Sequence, residues 1–475
     1  MTVSTKIDKK VYKKGVKIKL PISKHIETNF KDYALYVLES RGIPSWYDGL
    51  TNVQRYILNN APKTFQKTLS LVGSCFSDGY PHGDASLGSA ITKLARPYGS
   101  AEQLLLGDGF FGNALSNEAA AARYTQIKIN PTANDNISEY NFLNTKHPDG
   151  HWNPLHLRYP IGLLTSIVGI AVGYSTTILP RNPEDIQNFI KGKTKEVIPY
   201  FQNFGGKVSR FNDLDRSWII EGNIKIDKIK RQIKISELPP LMKYESFIKK
   251  LDKIVTKWDN TVSVYNDSQS NIDITLQFKM RDEDAFSNFI EDISKSIKMI
   301  VTENIILIKD GVVIVYEKIE DYFKDYKWRI AEVDWKSNQY HLGINTDELE
   351  YQRAKLEFLE FMSTQKRDDK AITKFLSKFK KSISAKLDRI VLRKLSENEI
   401  NRTKKEIERL VKEVQKLTQQ TEKAKDKFLK MEDPTVKRSL QRSKKQNIDL
   451  FDDSDFAKYE GIEIFNPDED EDEED

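Results

Sequence analysis

Apolar residues recur at helical spacing in the first part of the chain. They alternate with polar ones through its middle and return to a helical period near the end. Phe30, Tyr33, Ala34, Val37 and Leu38 share one helix face. Pro44 interrupts that pattern, Asp48-Gly49 supplies a turn, and Leu50, Val53, Ile57 and Leu58 open another helix. From about residue 131 to 340, short alternating segments predict strands at 218–226, 232–235, 261–265, 272–278 and 305–316. The last of these folds back at Asp310-Gly311, and helices are expected at 244–255 and 284–299. The apolar stretch 163–172 is broken by Thr165, Ser166 and Gly169, which reads as a buried strand pair and not as a membrane span.

From Thr346 the pattern is helical and highly charged. Leu349, Leu356, Leu359 and Met362 form one stripe; Leu376, Phe379, Ile383, Leu387, Val391 and Leu395 form another. Ile400, Ile407, Leu410, Val414, Leu417, Ala424 and Phe428 then repeat at the spacing of a coiled-coil seam, weakened by Thr403 and Thr421. Two long helices running out and back would carry a short helical block at their far tip. After Met431 the chain turns polar and linker-like, and its acidic end is expected to stay disordered.

A length of 475 residues predicts two to four domains. No apolar run reaches membrane-spanning length and the N-terminus lacks a signal core, so a cytoplasmic protein without a membrane partner is expected. Cys75 is the only cysteine, which excludes an internal disulfide and a multi-cysteine zinc site. The net charge of +5 conceals an asymmetry: the last eight residues are all acidic, and the remaining 467 carry +13. Seven lysines fall within the first 20 residues. A basic body with a basic N-terminal arm suits a polyanion.

The candidate chemistry lies in residues 107–130, GDGFFGNALSNEAAAARYTQIKIN. The alanine run predicts a helix ending at the pair Arg123-Tyr124. A tyrosine hydroxyl can attack phosphorus and hold a broken strand as an ester, which conserves the bond energy for resealing. A free phenol is a weak acid, with a pKa of about 10, so it needs a cation beside it.

The strings AAAARYTQI and GDGFFGN, with PHGD at residues 81–84, resemble the active-site region of type IIA DNA topoisomerases, the gyrase and eukaryotic topoisomerase II family. At this length, and without a gyrase-type propeller, the chain resembles the phage-encoded cleavage subunits of that family. The resemblance implies a multidomain α+β fold. Its expected parts are a basic N-terminal arm (1–22), a winged-helix cleavage domain (23–130) and an α/β tower or shoulder (131–340). A long antiparallel coiled coil with a helical dimerisation gate (341–432) and an acidic tail (433–475) complete it.

The resemblance also implies site residues. Tyr124 would be the nucleophile, Arg123 would stabilise the transition state, and His82 would donate to a phosphate oxygen. Arg41 and Arg55 stand where family arginines contact DNA, with Lys93 and Arg96 as further contacts. Ile170 maps to the intercalating wedge, and Lys207 and Arg210 could extend the DNA floor. Thr51 departs from the family's lysine, and Tyr80 stands where bacterial relatives have a second histidine. No metal-binding TOPRIM unit, P-loop or nucleotide lid is recognisable in the chain. Mg²⁺ and ATP are therefore expected on a partner ATPase/TOPRIM subunit, with the chain acting as a homodimer on double-stranded DNA near the nucleoid. The competing readings are an architectural DNA-binding protein that has lost cleavage, and a nickase or recombinase acting without a partner.

Overall fold

The computed structural model describes residues 42–211, 216–259, 261–364, 369–390, 397–436, 438 and 463–464, with isolated positions at 24, 30, 33, 37 and 38. The N-terminal arm, Arg41 and most of the acidic tail lie outside the described residues. Phe30, Tyr33, Val37 and Leu38 have helical backbone, in line with their periodicity.

Helix α1 (Asn52–Asn60) starts at Thr51, an extended N-cap whose N–H donates to the Gln54 side chain at 3.0 Å. The residue that departs from the family's lysine thus begins a helix here, as threonine favours. Strand β1 (Gln66–Lys67), α2 (Thr68–Ser77), α3 (Asp84–Ala95), β2 (Leu105–Asp108) and β3 (Gln126–Ile129) follow. The three strands form an antiparallel sheet in the order β1-β3-β2. Leu71, Cys75, Leu87, Ile91, Leu105 and Ile127 close the core between sheet and helices.

That core does not end at residue 130. It continues through α4 (Pro131–Ser138), Leu155, Leu157, the segment 161–167 and α5 (Pro183–Ile190). It then takes in the hairpin β13 (Ile305–Lys309)–β14 (Val312–Tyr316) and the first turns of α8 (Ile319–Thr364). Asp310 and Gly311 take the φ values of 51° and 76° that a tight hairpin turn demands. The base of this body is aromatic. Trp46 donates its indole N–H to Tyr316 at 2.8 Å, and Tyr322 donates to the Trp46 carbonyl at 2.8 Å.

Between these halves lie two insertions. One is the two-stranded hairpin β4 (Ile167–Ala171)–β5 (Tyr174–Ile178). The other is a separate α/β body with its own core of Trp218, Ile220, Ile233, Phe247, Phe278 and Phe289. Its strands are β6 (Lys207–Arg210), β7 (Ser217–Glu221), β8 (Asn223–Asp227), β9 (Gln232–Glu237), β10 (Val262–Asn266), β11 (Ile274–Phe278) and β12 (Lys298–Thr302). Helices α6 (Tyr244–Lys257) and α7 (Glu283–Ser296) pack with them. One sheet runs β10-β11-β9-β8; the other carries β12-β7-β6.

Three boundaries differ from the sequence expectation. The strand expected at 218–226 is two strands, divided at Gly222, where a Cβ would lie 2.3 Å from the Glu237 carbonyl oxygen. The helix expected to reach residue 299 stops at Ser296, and KMIVT becomes β12, as its β-branched residues favour. The tower body holds its core between Leu179 and Val301, whereas 131–178 and 305–328 bury their apolar faces with the N-terminal body.

Helix α8 spans 46 residues and α11 (Glu397–Leu429) spans 33, and they lie antiparallel. Phe428 stacks on Trp335 with centroids 5.4 Å apart, while Lys404 pairs with Glu360 at 3.2 Å nearer the tip. Leu410 and Thr403 are buried in the seam; Thr403 bonds back to the Glu399 carbonyl at 2.9 Å. At the tip, α9 (Asp369–Leu376) and α10 (Lys381–Asp388) close over Phe358 through Ile372, Leu376, Ile383 and Leu387. Among the described residues no helix is long and apolar enough to cross a membrane.

The expected disorder from residue 433 also needs correction. The Asp433 carboxylate accepts from Lys309 Nζ at 3.1 Å, and Arg438 bonds Asp325 at 2.9 Å. Further on, β15 (Glu463–Ile464) pairs in parallel with β12.

Candidate active site

The alanine run is not a helix. Residues 109–125 form a long connection from β2 to β3 whose backbone groups bond in tight turns and across the loop, without a helical run. Gly109 and Gly112, at φ 106° and 90°, make the turns that let it leave the sheet. A Cβ on Gly112 would lie 2.9 Å from the Ser116 carbonyl oxygen. Asn113 then caps a tight turn, its side-chain oxygen accepting from the N–H groups of Leu115 (2.9 Å) and Ser116 (3.0 Å). Ala120 donates to Phe110 at 2.9 Å, and Ala122 accepts from the N–H of Leu69 at 3.3 Å. Those two bonds draw the alanines away from the i→i−4 pattern that their propensity favours, a tertiary override of a weak preference.

The loop ends in a turn closed by Tyr124 N–H to the Ala121 carbonyl at 2.8 Å. Immediately after it, Thr125 is anchored twice. Its carbonyl accepts from Thr68 N–H at 3.1 Å, and the two threonine hydroxyls lie 2.8 Å apart in the core. With its neighbour pinned, Tyr124 stands 71% exposed at the rim. Arg123 is also exposed, and its guanidinium carbon lies 5.6 Å from the Tyr124 ring centre. A phenol open to an incoming group with a fixed cation beside it suits attack on an anionic ester.

Helix α3 carries the other expected residues. His82 precedes its N-terminus and is half-buried, its ring edge-on to Tyr80 at 5.5 Å. Tyr80 itself is buried, so the place of a second histidine belongs to the core. Lys93 is exposed in the last turn of α3. Arg96, at its C-cap, donates to the Asn117 carbonyl at 2.8 Å and lies over the Tyr98 ring; Tyr98 bonds the Asn117 side chain at 2.5 Å. Arg96 and Tyr98 therefore brace the Tyr124 loop against α3. The sequence reading missed the brace and the Thr68–Thr125 anchor, because both join positions that no local spacing connects.

Arg55 departs from its expected role. It is 6% exposed, its guanidinium binds the Asp48 carboxylate at 2.7 and 3.1 Å, and it also donates to the Leu50 carbonyl. A guanidinium so committed ties the 45–50 turn to α1 and is not presented to a phosphate. Arg210 likewise bonds Glu196 at 2.6 Å and covers the Trp218 ring, whereas Lys207 is exposed. Ile170 lies half-buried near the end of β4, one residue pair from the β4–β5 turn at residues 172–173. Among the described residues no three His, Cys, Asp or Glu side chains are grouped so as to hold a metal ion.

A profile of the family formed by the A subunits of DNA gyrase and topoisomerase IV matches residues 41–433. The chain belongs to that family. It is 28% identical to the DNA topoisomerase medium subunit of Enterobacteria phage T4 over 62% of its own length and 70% of that protein's. It is 32% identical to the DNA gyrase A subunit of Buchnera aphidicola over 36% of the chain and 22% of that protein. It is 30% identical to the DNA topoisomerase 4 A subunit of Borreliella burgdorferi over 53% and 42%. It thus spans less than half the length of those gyrase and topoisomerase 4 relatives. The fold matches the DNA-binding, cleavage and re-ligation domain of Plasmodium falciparum topoisomerase II with a TM-score of 0.69, at 18% identity, over 90% of this chain and 66% of that one. Family membership agrees with the resemblance carried by GDGFFGN and AAAARYTQI. Both segments fall within the matched span of this gyrase/topoisomerase IV family member, as do α3 and the β4–β5 hairpin.

Proposed function

We propose that this chain is the DNA breakage-reunion subunit of an ATP-dependent type II topoisomerase. The observation that carries the reading is the exposed Tyr124 beside Arg123, on a loop whose base is locked by Thr68 and Thr125. The Tyr124 phenol oxygen bonds to phosphorus and loses its proton. The bond from phosphorus to the 3′ oxygen breaks, and that oxygen leaves as a hydroxyl after taking up a proton. The strand stays attached through its 5′ phosphate, and reversal reseals it. Arg123 supports the charge that builds on the phosphoryl oxygens, with His82 as a second donor.

Mg²⁺, which would stabilise the leaving oxygen, and ATP are assigned to a partner ATPase/TOPRIM subunit. The three-helix, three-stranded N-terminal unit acts as the winged-helix grip on double-stranded DNA, with Lys93 on its exposed face. Ile170 acts as the wedge that bends the duplex. The α8–α11 pair is the coiled coil, and the helical tip is where a second copy joins to form the homodimer's exit gate. Relaxation and decatenation in the cytoplasm, at the nucleoid, are the expected outcome.

The test is covalent trapping. The full chain is incubated with end-labelled duplex and Mg²⁺, with and without the partner subunit, and then denatured in detergent. A protein-linked 5′ end that requires the partner and is absent in Tyr124→Phe supports the reading. An adduct without the partner indicates a nickase. DNA binding with no adduct under any condition indicates an architectural protein.

A further inference from the structure

The β4–β5 hairpin carries Ile170 close to its turn, and a two-stranded ribbon is barely stable by itself. Driving an apolar side chain between stacked bases pushes back on whatever presents it. A hairpin that yields lets the bases restack.

The bracing comes from Glu303-Asn304, the two-residue link between β12 and β13. Asn304 and Thr177 exchange both backbone hydrogen bonds, at 2.9 and 3.0 Å. The Asn304 side-chain amide donates to the Ser175 carbonyl at 2.5 Å. The buried Thr176 hydroxyl sits 3.0 Å from the carbonyl oxygens of both Asn304 and Ile306, and accepts from Ile306 N–H at 3.3 Å. Glu303 works one residue earlier. Its buried carboxylate accepts from Leu179 N–H (2.7 Å), from Arg181 (3.1 and 2.7 Å) and from the Trp218 indole (2.8 Å). Trp218 belongs to β7, the neighbour of β12. On the hairpin's other side, a Cβ on Gly169 would lie 2.0 Å from the Gly42 carbonyl oxygen, so β4 rests directly on that backbone.

We propose that Thr176, Glu303 and Asn304 are positioning residues for DNA bending: a clamp that ties the Ile170 hairpin to the β6–β7–β12 sheet, so that the sheet bears the load of the wedge. This rests on the wedge role of Ile170 given above. No buried side-chain polar atom of the clamp is left without a partner. A buried network of this kind resists small displacements, because moving one member strands several others.

The test uses the full chain at saturating occupancy on a duplex with a donor and an acceptor dye at its ends, below the melting temperature of every variant. Energy transfer gives the ratio of bent to straight DNA, and thermal melting is followed in parallel. Asn304→Ala and Thr176→Val are expected to lower the ratio about tenfold, the size of losing one buried hydrogen bond. Thr176→Ser keeps the hydroxyl and is expected to bend as wild type. If Ile170→Ala bends DNA fully, the wedge reading fails and the clamp fails with it. If Ile170→Ala loses bending while Asn304→Ala and Thr176→Val retain it, only the clamp is overturned. Lower melting temperatures with an unchanged ratio would mark the network as core packing and overturn it equally.

Discussion

Tyr124 and Tyr322 lie in regions built on opposite rules. Tyr124 rises into solvent from a loop held by backbone and side-chain hydrogen bonds, and apart from the Arg123 guanidinium its ring is largely bare. Tyr322 is fully enclosed, hydrogen-bonded to the Trp46 carbonyl and ringed by Trp46, Tyr316, Phe323 and Tyr326. Burial pushes the hydroxyls of Tyr316, Tyr322 and Tyr326 well above the ordinary phenol range. The proposed nucleophile therefore sits where its removal costs little packing, whereas the enclosed tyrosines carry the packing of the base. Cleavage and stability should be separable in this chain.

The sharpest way to break that separation is Tyr124→Phe. The covalent adduct is expected to fall to background, a loss of at least about 10³-fold. The melting transition should move by no more than about 0.5 kcal/mol, the usual range for an exposed site. A variant that loses the adduct because it unfolds would overturn the comparison. The converse variant is Trp46→Ala, which empties the aromatic base and removes the bond to Tyr316. It should cost about 3–5 kcal/mol in urea unfolding. Whatever fraction remains folded should keep its adduct yield per molecule.

The contrast also explains what the sequence could convey. The helical stripes, the Asp310-Gly311 turn and most tower strands were legible, because burial imposes its period locally. Tyr124 was legible only through the strings around it, since an exposed loop residue leaves no periodic trace. The alanine run misled for the same reason: its conformation is set by bonds to Phe110 and Leu69, which lie elsewhere in the chain. Arg55 was read as a DNA contact because its motif matched. The Asp48 carboxylate that claims it becomes visible only once the 45–50 turn folds back on α1.

A subtler probe lies where the aromatic base is tied to the C-terminal segment. Lys309 is buried among the Trp46, Tyr47 and Trp328 rings and bonds Asp433 at 3.1 Å. Burial alone would raise the Asp433 carboxyl, but the Thr435 N–H and the Lys309 ammonium outweigh it and hold it below the usual range. Lys309→Met should cost about 1–3 kcal/mol. It should also raise hydrogen exchange across residues 433–436 while leaving the Tyr124 loop unchanged. Faster exchange in residues 109–125 would show that the base and the loop are coupled after all.

The smallest effect is a pH dependence. His156 is pushed down to about 3, first by burial and then by the neighbouring Arg329 and Lys336. Its Nδ1 lies 3.2 Å from the Asn144 side-chain oxygen, a distance that suits a neutral ring donating there. The folded pKa is below the unfolded value of about 6.5. Between these values the unfolded chain binds the extra proton, so stability is lost as pH falls from neutrality. The ring is partly solvated, which reduces the expected loss between pH 7 and 5 to about 1 kcal/mol. Urea midpoints measured across that range should drop for the wild type and flatten for His156→Gln. The adduct yield of folded protein should not follow them, because His156 neighbours Asn144 and, on α8, Arg329, Glu332 and Lys336, and none of these belongs to the loop. Of these, Arg329 lies over the Tyr47 ring beside the aromatic base. A cleavage profile that shifts with His156→Gln would mean that the base sets the protonation state at Tyr124, and the two regions would then have to be treated as one.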